Sequence, residues 1–286
     1  MQLRLQKKLW MRKLKKIIID TDCTIDVKGC DLDDAFAILY LIAHPEIDVR
    51  LITTTFGNNN EEVTYNATKK MLEDLNLDIP LVKGGLYIHD AGEAIKKEVE
   101  ENEDIIILSL GSTTNTQKAL ALGMNSKKVK SFVAMGGITD KLRFNKKIMR
   151  ELNLSIDYLS TIYALEKLDN IHIITGNNCM KHKYQVPANP EYKSEFMNYL
   201  KPSLKRVTEE FLDDFGESKL VVWDALAALY ITNPEFFIDY EKNIVLDEHL
   251  LNGYLVDGND KKVNLPEIKE NINAMEYIVD VIENNN

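Results

Sequence analysis

Short apolar runs alternate with segments of helical pattern through the first two thirds of the chain. The apolar runs are typical of buried strands and cover residues 16–20, 47–55, 104–110, 129–135 and 171–175. Helical patterns occupy residues 33–43, 60–75, 114–122 and 157–168. This alternation predicts an α/β fold, with a mostly parallel central sheet and helices on both faces.

The last third has a different pattern. Residues 192–230 are helical in pattern, short strands are predicted at 243–246, 253–257 and 261–264, and a final helix runs from 267 to about 282. With no repeat and no long linker, residues 16–286 are predicted to form one domain with C-terminal helices and a small hairpin. Residues 1–15 are predicted to be a disordered leader, with Met11 as an alternative start and a membrane-surface helix as a less favoured alternative.

Composition excludes several classes of protein. A formal net charge of -10 argues against a nucleic-acid-binding surface, which needs an excess of lysine and arginine. No apolar run approaches the length of a membrane span, and three cysteines cannot all pair, which indicates a reducing compartment. We therefore expect a cytoplasmic protein with no membrane or nucleic-acid partner.

Polar or glycine residues follow four of the predicted strands. They are Asp20 and Asp22, the segment 53–58 (TTTFGN), the segment 111–115 (GSTTN) and the segment 135–137 (MGG). Parallel strands deliver their carboxyl ends to one edge of a sheet, where ligands bind in such folds. Convergence at this edge predicts an enzyme.

Six aspartates lie within fifteen residues near the N-terminus: Asp20, Asp22, Asp26, Asp31, Asp33 and Asp34. Carboxylates this close repel one another unless a cation or protons compensate. Hard oxygen ligands favour Ca²⁺ or Mg²⁺ over zinc. A metal site is therefore predicted, with a solvated acidic loop as the alternative.

Two known openings resemble this region. The apolar strand followed by Asp20-Thr21-Asp22-Cys23-Thr24 resembles haloacid-dehalogenase-type phosphatases, in which Asp20 would be the nucleophile and Asp22 the acid, with Mg²⁺. The same residues followed by DDAFAI at 33–38 resemble the opening of nucleoside hydrolases. A phosphatase also needs a late acidic pair at a strand end, and residues 213–214 (DD) lie instead in helical surroundings.

Later segments resemble nucleoside hydrolases in the correct order from residue 17 to about residue 230. They are the ITTTFGN segment at 52–58, Asn66-Ala67, GSTTN at 111–115, MGG at 135–137, ELNLSID at 151–157 and Trp223-Asp224. This order favours the nucleoside hydrolase family over the phosphatases.

The resemblance implies calcium-dependent hydrolysis of the N-glycosidic bond of a riboside, giving ribose and a free base. It implies that Asp22 binds Ca²⁺ and takes a proton from water, and that Asp20 orients Asp22. It implies Asp34, the Thr114 carbonyl and Asp224 as further metal ligands. The implied contacts to substrate are Asp33, Asn58, Asn145, Glu151 and Asn153. It also suggests a homodimer or homotetramer.

Three features depart from the family pattern. Residues 23–32 lengthen the metal loop, so Asp26 or Asp31 could replace an implied ligand, or the loop could cover the pocket. Trp223 stands where many members have a histidine that protonates the leaving base, and it could stack on a base or pack in the core. His89 is then a candidate acid. These departures also motivate the alternative of a relative that binds ribosides without turnover.

Overall fold

The computed structural model describes residues 14–285, which contain an eight-stranded sheet. The strands of this part of the chain are β1 Lys15–Thr21, β2 Ile47–Thr54, β3 Leu81–Lys83, β4 Ile105–Ser109, β5 Val129–Met135, β6 Leu142–Arg143, β7 Ile148–Met149, β8 Ile171–Ile174, β9 Phe237–Ile238, β10 Glu241–Ile244, β11 Lys261–Asn264 and β12 Glu267–Ile268. The large sheet has the order β10-β11-β8-β5-β4-β1-β2-β3, and all its pairs are parallel except β10 with β11. The prediction of a mostly parallel central sheet is confirmed.

Helices cover both faces of this sheet, as predicted. In the described residues they are α1 Asp33–Ala43, α2 Glu61–Asp74, α3 Asp90–Glu101, α4 Thr114–Ala121, α5 Tyr158–Lys167, α6 Gly176–Cys179, α7 Glu195–Phe215, α8 Trp223–Thr232 and α9 Ala274–Asn284. Ile17 and Ile19 of β1 share one core with α1, α2, α7, α8 and α9. Ile18 points to the other face and joins a second core with α3, α4 and α5. Strand β1 is therefore buried on both sides.

The C-terminal third differs in detail from the prediction. The helical stretch is two helices, because α7 ends at Gly216, whose φ of 72° is the left-handed conformation that favours glycine. Residues 253–257 form isolated bridges in place of the predicted strand. The last helix begins at Ala274, since Glu267–Ile268 pairs with β9. The sequence analysis also missed β3 and α3.

The leader prediction mostly concerns residues 1–13, which lie outside the described part of the chain. Its last residue, Lys15, is instead the first residue of β1 and pairs with Ile47. Within residues 14–285, no helix combines the length and apolar character that crossing a membrane requires.

Leu39, in α1, tests the core that holds the N-terminus of this helix in place. Its side chain is fully buried, so Leu39→Ala should lower the free energy of unfolding by about 2–5 kcal/mol. Leu159→Ala is the matched control, because Leu159 is 63% exposed and its loss should change stability by no more than about 0.5 kcal/mol. Urea denaturation of both variants measures the difference, and equal losses would contradict this assignment of the core.

Candidate active site

Four strand ends meet at one edge of the sheet, as predicted. Asp22 directly follows β1, Asn58 lies beyond β2, and Gly111 and Gly137 lie beyond β4 and β5. Helices α1 and α8 pack against each other and begin at this same edge. Their first turns carry Asp33 and Asp34 on α1 and Asp224 on α8. An acidic first turn is favoured by the helix dipole, which helps to hold these charges there.

Five carboxyl groups come together at this edge, and we call them the acid cluster: Asp22, Asp31, Asp33, Asp34 and Asp224. One carboxylate oxygen from each of Asp31, Asp33 and Asp34 lies within 4.8 Å of the others. The side chains of Asp34 and Asp224 are in contact, and Asp22 repels both electrostatically. Asp22, Asp34 and Asp224 are therefore near neighbours in the structure.

Several oxygens of the acid cluster are buried without a hydrogen-bond partner. They are Oδ1 of Asp22, Oδ1 of Asp33, Oδ2 of Asp34 and Oδ1 of Asp224. Such groups are costly unless something pairs with them. Their chemistry fits a hard cation, because every unpaired atom is a carboxylate oxygen.

Burial and mutual repulsion raise the pKa values of the acid cluster. Burial and, to a smaller extent, the neighbouring carboxylate of Asp31 raise the pKa of Asp22 to about 7. Burial followed by repulsion from other members holds the pKa values of Asp33, Asp34 and Asp224 well above their usual range. The charged form of the acid cluster therefore requires a compensating cation.

Neighbouring groups hold Asp22 in one orientation. The Asn58 backbone N–H donates a hydrogen bond to Asp22 Oδ2 at 2.6 Å, which leaves Oδ1 free. A Cβ on Gly57 would lie 1.9 Å from Asp22 Oδ2, so only glycine permits this approach.

Asp20 lies one residue before Thr21 and is also fully buried. Its Oδ1 accepts hydrogen bonds from Thr53 Oγ1 at 2.7 Å and from Asn115 Nδ2 at 2.8 Å. Burial raises the pKa of Asp20 to about 7, and a charge on Asp20 raises the pKa of Asp22. The interaction of Asp20 with Asp22 is thus electrostatic.

The long loop at residues 23–32 contributes Asp31 and not Asp26 to the site. Asn58 Nδ2 donates a hydrogen bond to Asp31 Oδ1 at 3.1 Å. Burial raises the pKa of Asp31, and the guanidinium of Arg206 offsets part of this rise. Asp26 instead accepts a hydrogen bond from Ser203 of α7. The loop is therefore fixed to α7 at one point and to the acid cluster at another.

An inner cavity opens from the acid cluster. Six of the predicted site residues line it: Asp33, Asn58, Glu151, Asn153, Trp223 and Asp224. Asn153 Nδ2 donates to the carbonyl of Leu110 at 2.8 Å and to that of Met135 at 3.1 Å, which fixes its amide. Glu151 accepts hydrogen bonds from three backbone N–H groups, those of Gly137, Leu154 and Ser155. This carboxylate also holds the glycine turn after β5.

An outer groove of about 510 Å³ continues from this cavity, and Trp223 lines both. One wall is the loop from Lys28 to Leu32, and the other includes the end of α7. The rings of Phe211 and Phe215 lie 4.5 Å apart between centroids. The sequence analysis missed these two residues, although their spacing of four places them on one face of a helix.

Two predicted site residues, His89 and Asn145, are exposed and line neither cavity, so the structure does not bring them to the acid cluster. His89 is exposed at the start of α3, where the Lys118 ammonium binds the carbonyls of Leu86 and Ile88 and draws the segment toward α4. Asn145 is exposed, and its amide donates to the carbonyl of Gly216.

Thr114, the predicted carbonyl ligand, is the first residue of α4. Its hydroxyl donates a hydrogen bond to Asp157 Oδ2 at 2.6 Å. The segment before it packs closely against Asp22, because a Cβ on Gly111 would lie 3.1 Å from Asp22 Cβ. The assignment of its carbonyl as a ligand stays a prediction.

Comparisons with known proteins agree with this geometry. The model of the inosine-uridine preferring nucleoside hydrolase family matches residues 17–281. The pyrimidine-specific ribonucleoside hydrolase RihA of Escherichia coli O1:K1 is 26% identical over 257 residues, which cover 73% of this chain and 79% of RihA.

Solved structures share the fold. A plant nucleoside hydrolase has a TM-score of 0.78 at 19% identity, covering 94% of this chain and 98% of its own. The purine-preferring ribonucleoside hydrolase of Gardnerella vaginalis has a TM-score of 0.76 at 16% identity, with the same coverage.

The family match overturns the phosphatase alternative for Asp20 and Asp22, because it accounts for nearly the whole described chain. The fold, the acid cluster and the match lead to one conclusion. The chain belongs to the inosine-uridine preferring nucleoside hydrolase family and is a ribonucleoside N-ribohydrolase.

Proposed function

We propose that this enzyme hydrolyses the N-glycosidic bond of its riboside with Ca²⁺ held by the acid cluster. The observation that carries the proposal is the group of buried, unpartnered carboxylate oxygens at the inner end of the cavity. Asp22, Asp34, Asp224 and the Thr114 carbonyl would hold the ion, and Asp31 is close enough to add a further oxygen. A set made only of oxygens suits Ca²⁺, which takes six to eight such ligands.

A bound divalent cation would supply two things here, a grip on vicinal hydroxyls and a lower pKa for water. Asp22 Oδ1 is the base that accepts the proton of the attacking water, since Asn58 holds the other oxygen of the same carboxylate. Asp33 and Asn153 orient the ribose from the cavity wall. The carboxylates also stabilise the positive charge that develops on the sugar in an oxocarbenium-like transition state.

The first test of this proposal removes the base. Asp22→Asn should lower kcat for ribose release by about 10²–10⁴-fold, with a smaller change in KM, because general-base catalysis contributes on that order. Ribose release from inosine, uridine and p-nitrophenyl riboside measures the effect, and a chelator should abolish wild-type activity. Asp48→Asn, in β2 and outside both cavities, is the matched control and should retain wild-type activity.

The same assay separates turnover from binding. A wild-type protein that gains thermal stability with ribosides and Ca²⁺ but releases ribose from no substrate would be a binding relative and not an enzyme. Full activity of Asp22→Asn would exclude Asp22 as the base.

The second test concerns cation binding itself. Ca²⁺ should raise the melting temperature of the wild-type protein, because it relieves repulsion within the acid cluster. In the presence of chelator, Asp34→Asn should have a higher melting temperature than the wild type, because one repelling charge is removed. When Ca²⁺ is added, the melting temperature of this variant should rise much less than that of the wild type. Differential scanning fluorimetry with a calcium titration measures both, and an undiminished gain in this variant would contradict the proposed ligand.

The third test asks which acid of the long loop serves the site. Asp31→Asn should weaken Ca²⁺ binding by about tenfold or more, because it removes one charge from the acid cluster. Asp26→Asn changes the same residue type in the same loop, but its carboxylate binds Ser203 of α7, so calcium affinity should remain unchanged. Calcium titration calorimetry compares the two, and equal affinities would remove Asp31 from the metal site.

A further inference from the structure

The five histidines of the chain all lie away from the inner cavity and the outer groove. His44 accepts a hydrogen bond from the Glu46 backbone, His172 contacts Tyr230, and His249 pairs with Asp247. His89 is exposed at the start of α3, and His182 lines a separate cleft. The side chain that replaces the expected imidazole is the indole of Trp223, which has no acidic proton near neutral pH.

Three other groups that line the groove, Glu210, Asp214 and Cys30, are already engaged. The Glu210 carboxylate lies 2.7 Å from the guanidinium of Arg206, and Asp214 lies 3.1 Å from the Lys147 ammonium. Both carboxylates thus already have a cationic partner. The Cys30 thiol points to the Asn58 carbonyl at 3.7 Å. The groove thus offers a leaving base little help with protonation.

The charges of the groove do not favour an anionic leaving group. Glu210 and Asp214 pair with Arg206 and Lys147, and Asp31 and Asp33 belong to the acid cluster, whose charge the proposed Ca²⁺ would balance. Asp213 and Lys28 also line the groove and carry opposite charges. A neutral base that leaves without a proton departs as an anion, and the described residues that line the groove offer no surplus of positive charge to stabilise it.

The aromatic wall, by contrast, suits a cation. The Lys147 ammonium already lies 4.0 Å from the centroid of Phe215, so this wall holds one positive charge against a ring face. Trp223 and Phe211 also line the groove, and aromatic faces attract flat cationic rings as they attract ammonium groups.

From these contacts we infer that the preferred substrate is a riboside whose base is an N-alkylated, cationic heteroaromatic ring, such as a pyridinium or a 7-methylated purine. The inference rests on the proposed N-ribohydrolase function and names its substrate class. When the C1′–N bond breaks, its electron pair goes to the ring nitrogen and neutralises the ring. The oxygen of water bonds to C1′, and the proton of water passes to Asp22 and then to solvent. No group has to protonate the base.

The test compares two substrates that differ by one methyl group and one charge. 7-Methylguanosine, at a mildly acidic pH at which its ring is cationic, should be hydrolysed with a kcat/KM about 100-fold or more above that of guanosine, after correction for hydrolysis without enzyme. This ratio is the lower end of what a general acid contributes when a base does need protonation. Nicotinamide riboside, a permanent cation, should be hydrolysed as readily as 7-methylguanosine.

Trp223 variants provide a second readout. Trp223→His adds an acid and should raise kcat/KM for guanosine, so the ratio of kcat/KM for 7-methylguanosine to kcat/KM for guanosine should fall. Trp223→Phe keeps an aromatic ring without an acid, so this ratio should stay high. A folded Trp223→His enzyme that cleaves 7-methylguanosine with an unchanged ratio would contradict the role assigned to the missing acid.

The outcomes separate this inference from the proposed function. Equal rates for guanosine and 7-methylguanosine, or cleavage of inosine or uridine without cleavage of either cation, would overturn the cationic substrate class and leave the N-ribohydrolase intact. Failure to release ribose from any of these substrates would overturn both.

Discussion

Repulsion among buried carboxylates is the constraint on which this structure depends. The acid cluster brings five aspartates from three parts of the chain into one site, and burial raises the pKa of every member. Such an arrangement is unstable unless the surrounding fold holds it or a cation compensates it. The two apolar cores supply the first condition, because they fix α1 and α8, which carry three of the five residues, and β1, which Asp22 directly follows. The unpaired oxygens are available to the cation that we propose, which would meet the second condition.

The polar surroundings of the acid cluster also sacrifice some stability for function. Asn115 donates to Asp20 and to the Thr54 carbonyl, so one amide joins α4 to the two strands that lead into the site. Gly57 allows Asp22 to approach the turn after β2 more closely than any side chain would. These contacts satisfy one oxygen of a carboxylate and leave the other free, which positions the base without neutralising it. A protein selected only for stability would pair both oxygens.

The sequence predicts those parts of the fold whose pattern is local. Strand β5 and helix α1 have the predicted bounds, because a continuous apolar run and an acidic first turn are strong signals. Strand β3 has only three residues and α3 was overlooked, although Ala91, Ile95 and Val99 are spaced for one buried helical face. The sequence could not choose between Asp26 and Asp31, since the choice depends on the backbone of the loop, where Asp26 has a φ of 66°. Phe211 and Phe215 reach the site only through the packing of α7.

The two departures from the family pattern have a common physical basis. Lengthening the metal loop brings Asp31 into the acid cluster and makes Lys28 to Leu32 a wall of the groove, so carboxylates line both the metal site and the groove. A histidine in that environment would be held in its protonated form by its neighbours, and a weaker acid protonates a leaving base less readily. A groove lined by carboxylates is therefore more compatible with an indole than with an imidazole that has to act as an acid. The substrate class that we propose fits such a groove, because a cationic ring leaves as a neutral base and needs no proton.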